Sequence, residues 1–581
     1  MKNAQPASLA KLLLSMLIAA LIISVAILSW VPPVSRDALT HHLAVPKLYL
    51  EHGGIYEIPA IIFSYYPMNL DLLYMIPLYW GNDIAAKFIH FLFALLTAWL
   101  LYGYLRTRLN TGWALFGVLF FLSLPIIVKL SITVYVDLGL VFFSTASLLS
   151  FLKWIESRFR LKYLLLSAVS CGLALGTKYN GLVVFFILAV FVPLVYIRAN
   201  RNPELRNNTS KIARPANFQA KAVGWAAVFC AVTLLVFSPW MIRNHAWTGN
   251  PVYPLYNKLF NPPRTVAADT MPDGEERILG KEPVHTGKQK STRWSSFAIR
   301  RVVFNESWWE IAIIPIRIFF QGQDDSPRYF DGQLNPALFL LPFFAFWLIN
   351  KNAPALKTEK KIWAWFSILV VLYAYFQTDM RIRYIAPVLP PLVILATFGL
   401  AQIFTGISGR LPPGSQWMSA AAIAILAAAI FTLNLAYIVR QFQFVAPFSY
   451  ISKTVDRDSY IARYRPEHTI YRYANTHLPA EVKILGIFLG NRRYYCEKDI
   501  RFDNNLLRQM IKNAADAPAL FAQLQRKGFT HLAIRFDLFD EWANSQFDDT
   551  EKEMIGAFSR RYLKKLIIKD GYGLFELNRL I

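Results

Sequence analysis

The chain has 581 residues, of which 55% are hydrophobic, 15% aromatic and only 17% charged. A soluble protein of this length carries nearer a quarter charged residues. Several stretches here exceed the ~20 apolar residues that span a bilayer, so the composition excludes an ordinary soluble globule and indicates a polytopic α-helical membrane protein. The net charge of +24 does not point to nucleic acid, because the basic residues lie in short loops between apolar runs and form no basic motif with interleaved aromatics.

The first apolar run is Leu9–Val31. Lys2 and Lys11 precede or open it, but it is long and lacks a small-residue cleavage site, so it reads as a retained first helix. Directly after it comes Ser35-Arg36-Asp37-Ala38-Leu39-Thr40-His41-His42. A carboxylate at the mouth of a membrane-embedded protein, beside an arginine and two imidazoles, marks a functional site. The plain alternative is an aspartate that ends a helix in water. Residues 36–80 read as short amphipathic helices, with Tyr65-Tyr66-Pro67 and Trp80 as an interfacial aromatic belt.

Further runs follow at Asn82–Leu105, Gly112–Val128, Asp137–Ile155, Tyr163–Thr177, Gly181–Tyr196 and Ala222–Ile242, then at Leu334–Leu348, Ile362–Phe376, Ile385–Ile403 and Met418–Val439, about eleven spans in all. Arg106 and Arg108, the cluster Lys153 to Lys162, the stretch Arg198 to Lys221 and the lysines 351–361 all fall on one side. By the positive-inside rule that side is the cytoplasm, with the N-terminus inside and, for an odd number of spans, the C-terminus outside. The outer side then receives loops 32–81 and 243–333, where Ile311–Phe320 reads as an interfacial or re-entrant helix after Trp308-Trp309.

The expected organisation is a transmembrane catalytic domain over 1–440 and an outer soluble domain over 441–581. In the latter, strand-like runs at Val482–Leu489, Thr530–Phe536, Leu563–Ile568 and Tyr572–Leu577 alternate with helical stretches, which predicts a small α/β domain with a partly parallel sheet. Cys171, Cys230 and Cys496 are scattered and form neither a disulfide framework nor a metal cluster.

Nucleotide sugars are cytoplasmic, and no phosphate-cradling Gly-x-x-x-x-Gly-Lys loop occurs. An outward-facing enzyme therefore needs a membrane-soluble activated substrate, such as a polyprenyl-phosphate sugar. Transfer requires a base for the acceptor hydroxyl and cations for the phosphate. Asp37 is the candidate base, and a lone carboxylate suits inversion because a phosphate leaving group needs no general acid. Lys178, Arg243, Arg381 and Arg383 are the candidate cations at outer ends of spans; the competing reading for each is a lipid-headgroup anchor. Asp137 reads as a second carboxylate orienting this neighbourhood, against a helix-start acid complementing the dipole. His41 and His42 are placed to position the acceptor or to bind a metal, although two histidines and one aspartate are a weak metal signal. No cofactor is assigned, and a divalent metal stays open.

Four segments carry a family likeness: Asp37-Ala38-Leu39-Thr40-His41-His42-Leu43 with Pro46–Glu51 and Tyr66-Pro67-Met68; Tyr135-Val136-Asp137; Gly176-Thr177-Lys178-Tyr179-Asn180-Gly181 with Pro239-Trp240, Arg243-Asn244 and Trp247–Pro254; and Arg383-Tyr384-Ile385-Ala386-Pro387. In order and placement they resemble the polytopic lipid-linked-sugar glycosyltransferases of the GT-C fold class, on the bacterial branch related to protein O-mannosyltransferases and to the aminoarabinose transferases that modify lipid A. The resemblance covers about residues 9–440. It implies a GT-C-like membrane domain with a small outer C-terminal domain, Asp37 as catalytic base, and Lys178, Arg243 and Arg383 as ligands of the lipid phosphate, with Tyr384 in the substrate-binding set. Many relatives carry a paired Asp-Glu in the first loop; here Ala38 follows Asp37, which weakens the carry-over of metal dependence and of acceptor class.

The expected function is an integral glycosyltransferase of the bacterial inner membrane. It would move a sugar from a polyprenyl-phosphate carrier to a protein, lipid A or envelope-glycan acceptor at the periplasmic face. The alternatives are a lipid-linked glycan polymerase or ligase and, from another class, a flippase or transporter, for which internal repeats and midplane ionisable groups are the expected signs.

Overall fold

The structure is a computed structural model that describes residues 6–201, 217–262, 295–347, 354–410, 412 and 415–578. Arg206, Lys211, Arg214 and Lys351, and all of residues 263–294 in the expected outer loop, lie outside the described residues.

Helix α1 (Pro6–Ser29) stops just before Pro32-Pro33, a pair that lacks backbone donors and cannot continue a helix. The next stretch is the expected run of short helices: a π-turn over Ala38–His42, α2 (Ala44–His52) and α3 (Asn69–Tyr79). Helix α2 ends at Gly53 with φ 80°, the left-handed closure that glycine adopts without penalty. Then come α4 (Asp83–Arg108), α5 (Thr111–Ser123) and α6 (Pro125–Ser131). The side chains of Asn82 and Asn110 cap α4 and α5 by accepting backbone N–H bonds three residues on. Helices α7 (Asp137–Glu156), α8 (Leu161–Thr177), α9 (Gly181–Arg201) and α10 (Phe218–Thr248) complete the first part of the bundle.

Among the described residues, seven helices are long and apolar enough to cross a membrane: α1, α4, α7, α9, α10, Ile382–Ser408 and Trp417–Val445. The pair α5–α6, bent by 64° at Pro125, makes an eighth if it counts as one span. Helical structure occupies all eleven expected segments, but not all are equal. The segment expected over 334–348 holds only an eight-residue helix, Ala337–Phe344, with Pro336 before it and Pro342 inside it. Eight residues rise ~12 Å, too little to span alone. The helix Pro354–Gln377 begins in a charged turn and is tied to α4: Glu359 accepts from Arg108 at 2.8 and 2.9 Å and from the Tyr104 hydroxyl at 2.7 Å.

The re-entrant helix expected over Ile311–Phe320 is instead two short turns, Trp308–Ala312 and Ile314–Arg317. The reason is ionic. Arg317 turns inward to Glu306, which is fully buried and also held by Arg300, at 3.1 and 3.0 Å. A continuous helix has no place for that buried cluster. Trp308 and Trp309 remain exposed.

The C-terminal region carries a five-stranded sheet: β1 (Lys483–Ile487), β2 (Asp499–Phe502), β3 (His531–Arg535), β4 (Leu563–Lys569) and β5 (Tyr572–Leu577), in the order β2-β1-β3-β5-β4. Pairings among β2, β1 and β3 are parallel, and those of β5 with β3 and β4 antiparallel. The expected partly parallel sheet is therefore present. Strand β2 escapes the sequence reading because this edge strand buries only Ile500.

Candidate functional site

Asp37 opens the π-turn Ala38–His42, eight residues after α1 ends at Ser29. Arg383 reaches it from the 3-10 helix Ile382–Val388 across 346 positions of sequence, with Nη1 donating to Asp37 Oδ2 at 2.5 Å. Burial pushes the Asp37 carboxyl up, but the Arg383 guanidinium, by its charge and its hydrogen bond, more than offsets this and holds the group well below the usual carboxylate range. Asp37 is therefore an ionised acceptor.

The two imidazoles take different surroundings. His41 stacks on Phe63 at 4.3 Å between centroids, and its Nδ1 lies 2.8 Å from the Thr40 hydroxyl. Burial and the adjacent His42 push the His41 imidazole well below its ordinary range, so it is neutral. His42 Nδ1 lies 2.6 Å from Asp71 Oδ1. A carboxylate only accepts, so that nitrogen carries the proton.

Asp137 and Lys178 also meet, at 2.6 Å, with the aspartate side chain only 2% exposed. Asp137 sits at the first turn of α7, and Lys178 ends α8. The Lys178 ammonium lies 5.7 Å from the Tyr384 ring centre, while Arg383 lies over both Tyr135 and Tyr384. Asp37, His41, His42, Asp137, Lys178, Arg383 and Tyr384 thus form one neighbourhood. Arg381 joins it less closely, paired with Asp379 at 2.7 Å and Asp331 at 3.6 Å.

Arg243 is placed elsewhere. Its guanidinium lies between Trp240 and Trp247, three and four residues away on the same helix, at 4.6 and 4.9 Å. It donates to the Tyr66 carbonyl and to Asn244 Oδ1, and it lines neither of the cavities at Asp37.

Those cavities hold about 1360 and 1330 Å³, and Arg36, Asp37, Arg381 and Arg383 face both. The first runs from Leu28 in the last turn of α1 past Lys129, Asp324, Asp331, Arg440 and Arg465. The second contains His41, Lys178 and Tyr384, and one wall is apolar: Leu182, Val183 and Phe186 of α9 with Leu369 and Tyr373 of the facing helix. The Nε of Arg383 is buried and has no hydrogen-bond partner. Among the described residues, no three His, Cys, Asp or Glu side chains gather as metal ligands.

Several site residues were not singled out from the sequence. Asp71 was legible as a lone acid in the apolar α3, a pattern that flags a buried partner. Lys129, held by Asp324 and Asp331 at 3.2 Å each, was visible as the only charge in α6. Tyr135 was read only as part of the segment Tyr135-Val136-Asp137, with no role of its own, and Arg465 carries no local signal, since basic residues are common along this chain.

This site places an ionised carboxylate and several cations at the junction of two cavities, one of them apolar-walled. A family model described as dolichyl-phosphate-mannose-protein mannosyltransferase matches residues 74–212. No curated protein sequence matches the chain. Among solved structures, ArnT from Cupriavidus metallidurans in the apo state is 15% identical, covers 97% of both chains and superposes with a TM-score of 0.55. The same protein bound to undecaprenyl phosphate gives 14% identity, the same coverage and a TM-score of 0.54. The oligosaccharyltransferase AglB from Archaeoglobus fulgidus gives 10% identity over 89% of this chain and 69% of its own, with a TM-score of 0.47. The likeness read from four loop motifs therefore extends over nearly the whole molecule as a fold, the one that ArnT adopts.

Proposed function

We propose that this protein is a membrane glycosyltransferase that moves a sugar from a polyprenyl-phosphate carrier to an acceptor hydroxyl, with Asp37 as general base, at the periplasmic face of a bacterial inner membrane. The observation that carries the reading is the Asp37–Arg383 pair standing on the wall common to both cavities. The second cavity suits the donor: its apolar wall between α9 and the helix Pro354–Gln377 fits a prenyl chain, and Lys178 and Arg383 are cations for the phosphate. The first cavity then receives the acceptor. Asp37, facing both, takes the acceptor proton as the oxygen attacks the anomeric carbon, and the phosphate leaves as an anion toward the cations. One carboxylate serves, and the product is inverted. The fold shared with ArnT, which has been seen with undecaprenyl phosphate, and the mannosyltransferase family match both support a lipid monophosphate carrier.

The test is Asp37→Asn in purified protein reconstituted with polyprenyl-phosphate sugars. Turnover falls ~10²–10⁴-fold if the carboxylate is the base; a folded variant with near-wild-type turnover overturns the assignment. Competition by prenyl monophosphate but not by prenyl pyrophosphate separates this reading from a glycan polymerase or ligase.

A further inference from the structure

The stretch between α1 and the π-turn is buried yet has no secondary structure: Val31, Pro32 and Pro33 are inaccessible, and Val34 is half-buried. Buried backbone carbonyls need partners, and two prolines in a row leave this segment short of donors of its own. Each of its four carbonyls is instead held by a side chain from far away. Lys87 Nζ donates to the Val31 and Pro32 oxygens at 2.8 and 3.4 Å. The Tyr495 hydroxyl donates to Pro33 O at 2.8 Å, and Arg465 Nε to Val34 O at 2.6 Å. The Tyr494 backbone N–H adds a bond to Leu39 O at 3.1 Å, on the other side of Asp37. Three of these donors belong to the C-terminal region, more than 400 residues away in sequence.

We propose that the C-terminal region is a positioning element of the site: Tyr495 and Arg465 hold the Pro33 and Val34 carbonyls and so set where the Asp37 carboxylate meets Arg383 and the acceptor. This rests on Asp37 being the base. The prolines make the segment stiff, so its position follows the carbonyl clamps rather than any internal ladder. Arg457, paired with the buried Asp83 at 2.5 Å, and Lys47, donating to Tyr494 O at 3.3 Å, seat the same region on α4 and α2. Arg465 also faces the first cavity, whereas Tyr495 lines neither. Tyr495 therefore reports positioning without touching substrate.

The experiment compares Tyr495→Phe, Arg465→Met, Arg465→Lys and Asp37→Asn in the full-length protein, reading kcat, KM for donor and acceptor, the pH profile and thermal stability. Tyr495→Phe is expected to lower kcat about 10- to 100-fold, the scale on which displacing a reacting group by about 1 Å acts. Its KM values stay within about twofold, and its melting temperature within about 2 °C of wild type. The acid limb of its profile moves upward, because a loosened Asp37–Arg383 pair no longer holds the carboxyl as low. Arg465→Met behaves likewise, and Arg465→Lys recovers part of the turnover. Wild-type kcat and pH profile in folded Tyr495→Phe, with Asp37→Asn inactive, overturn the positioning role. An active Asp37→Asn overturns the base assignment itself. Should Arg465→Met fail to fold, Tyr495→Phe, which removes one oxygen, still decides the question.

Discussion

Replacing Arg383 by glutamine isolates the interaction that governs Asp37. The pair stands at 2.5 Å with side chains 14% and 23% exposed, partly shielded from water. Two unit charges at ~4 Å in a medium of effective dielectric ~20 attract by ~4 kcal/mol, which on a carboxyl equals about three pH units. Without Arg383 the burial of Asp37, which works against ionisation, loses its chief opponent. The acid limb of kcat/KM, which reports the free enzyme, is thus expected to rise by about three pH units in Arg383→Gln, with further loss of turnover because the proposed phosphate ligand is gone. The sign for folding agrees. A carboxyl held low in the folded state contributes stability that is fully present above its unfolded range and lost as pH falls through the folded value. Arg383→Gln removes that contribution at neutral pH. The assay is a pH series of initial rates in reconstituted protein, with Arg383→Lys as the variant that keeps charge but not the fork. An acid limb that superimposes on wild type in Arg383→Gln refutes the coupling.

Two further outcomes follow from buried geometry. Lys178→Met strands the Asp137 carboxylate, whose side chain is 2% exposed, and is expected to destabilise by about 3 kcal/mol. Adding Asp137→Asn restores most of that loss, as thermal unfolding in detergent will report; a single variant as stable as wild type contradicts the pairing. Gly399 lies against the neighbouring helix so closely that a Cβ there would sit 2.1 Å from the Leu341 carbonyl oxygen. Gly399→Ala is therefore expected to lower stability by about 1–3 kcal/mol, and an unchanged melting temperature would show that the two helices separate without penalty.

Much of this protein is legible in one dimension because its strongest forces act locally. Long apolar runs have to become helices in a bilayer, since only then are their backbone groups satisfied. The runs at 82–105, 137–155 and 181–196 became α4, α7 and α9 with ends a few residues away. Strand-like runs alternating with helical stretches in the C-terminal region marked four of the five strands. The reading failed where a helix-like run carried a residue with a distant partner. Arg317 broke the expected helix over 311–320 because Glu306 draws it inward, and the proline-bounded run after 334 shortened to eight residues.

The amino-acid sequence by itself determined the membrane class of the protein and the order of its elements, and it singled out Asp37 as a candidate, because periodicity, composition and an ionisable residue beside a long apolar helix are all visible without coordinates. Tertiary structure alone decided the partners. That Arg383 rather than Arg243 reaches Asp37, that Lys178 is held by Asp137, and that Tyr495 and Arg465 clamp the loop are pairings across 41 to 462 positions. Electrostatics and hydrogen bonding act over a few ångströms of space and leave no periodic trace along the chain. For that reason Asp37, the base proposed here, could be read from sequence, and the contacts that set its charge and position could not.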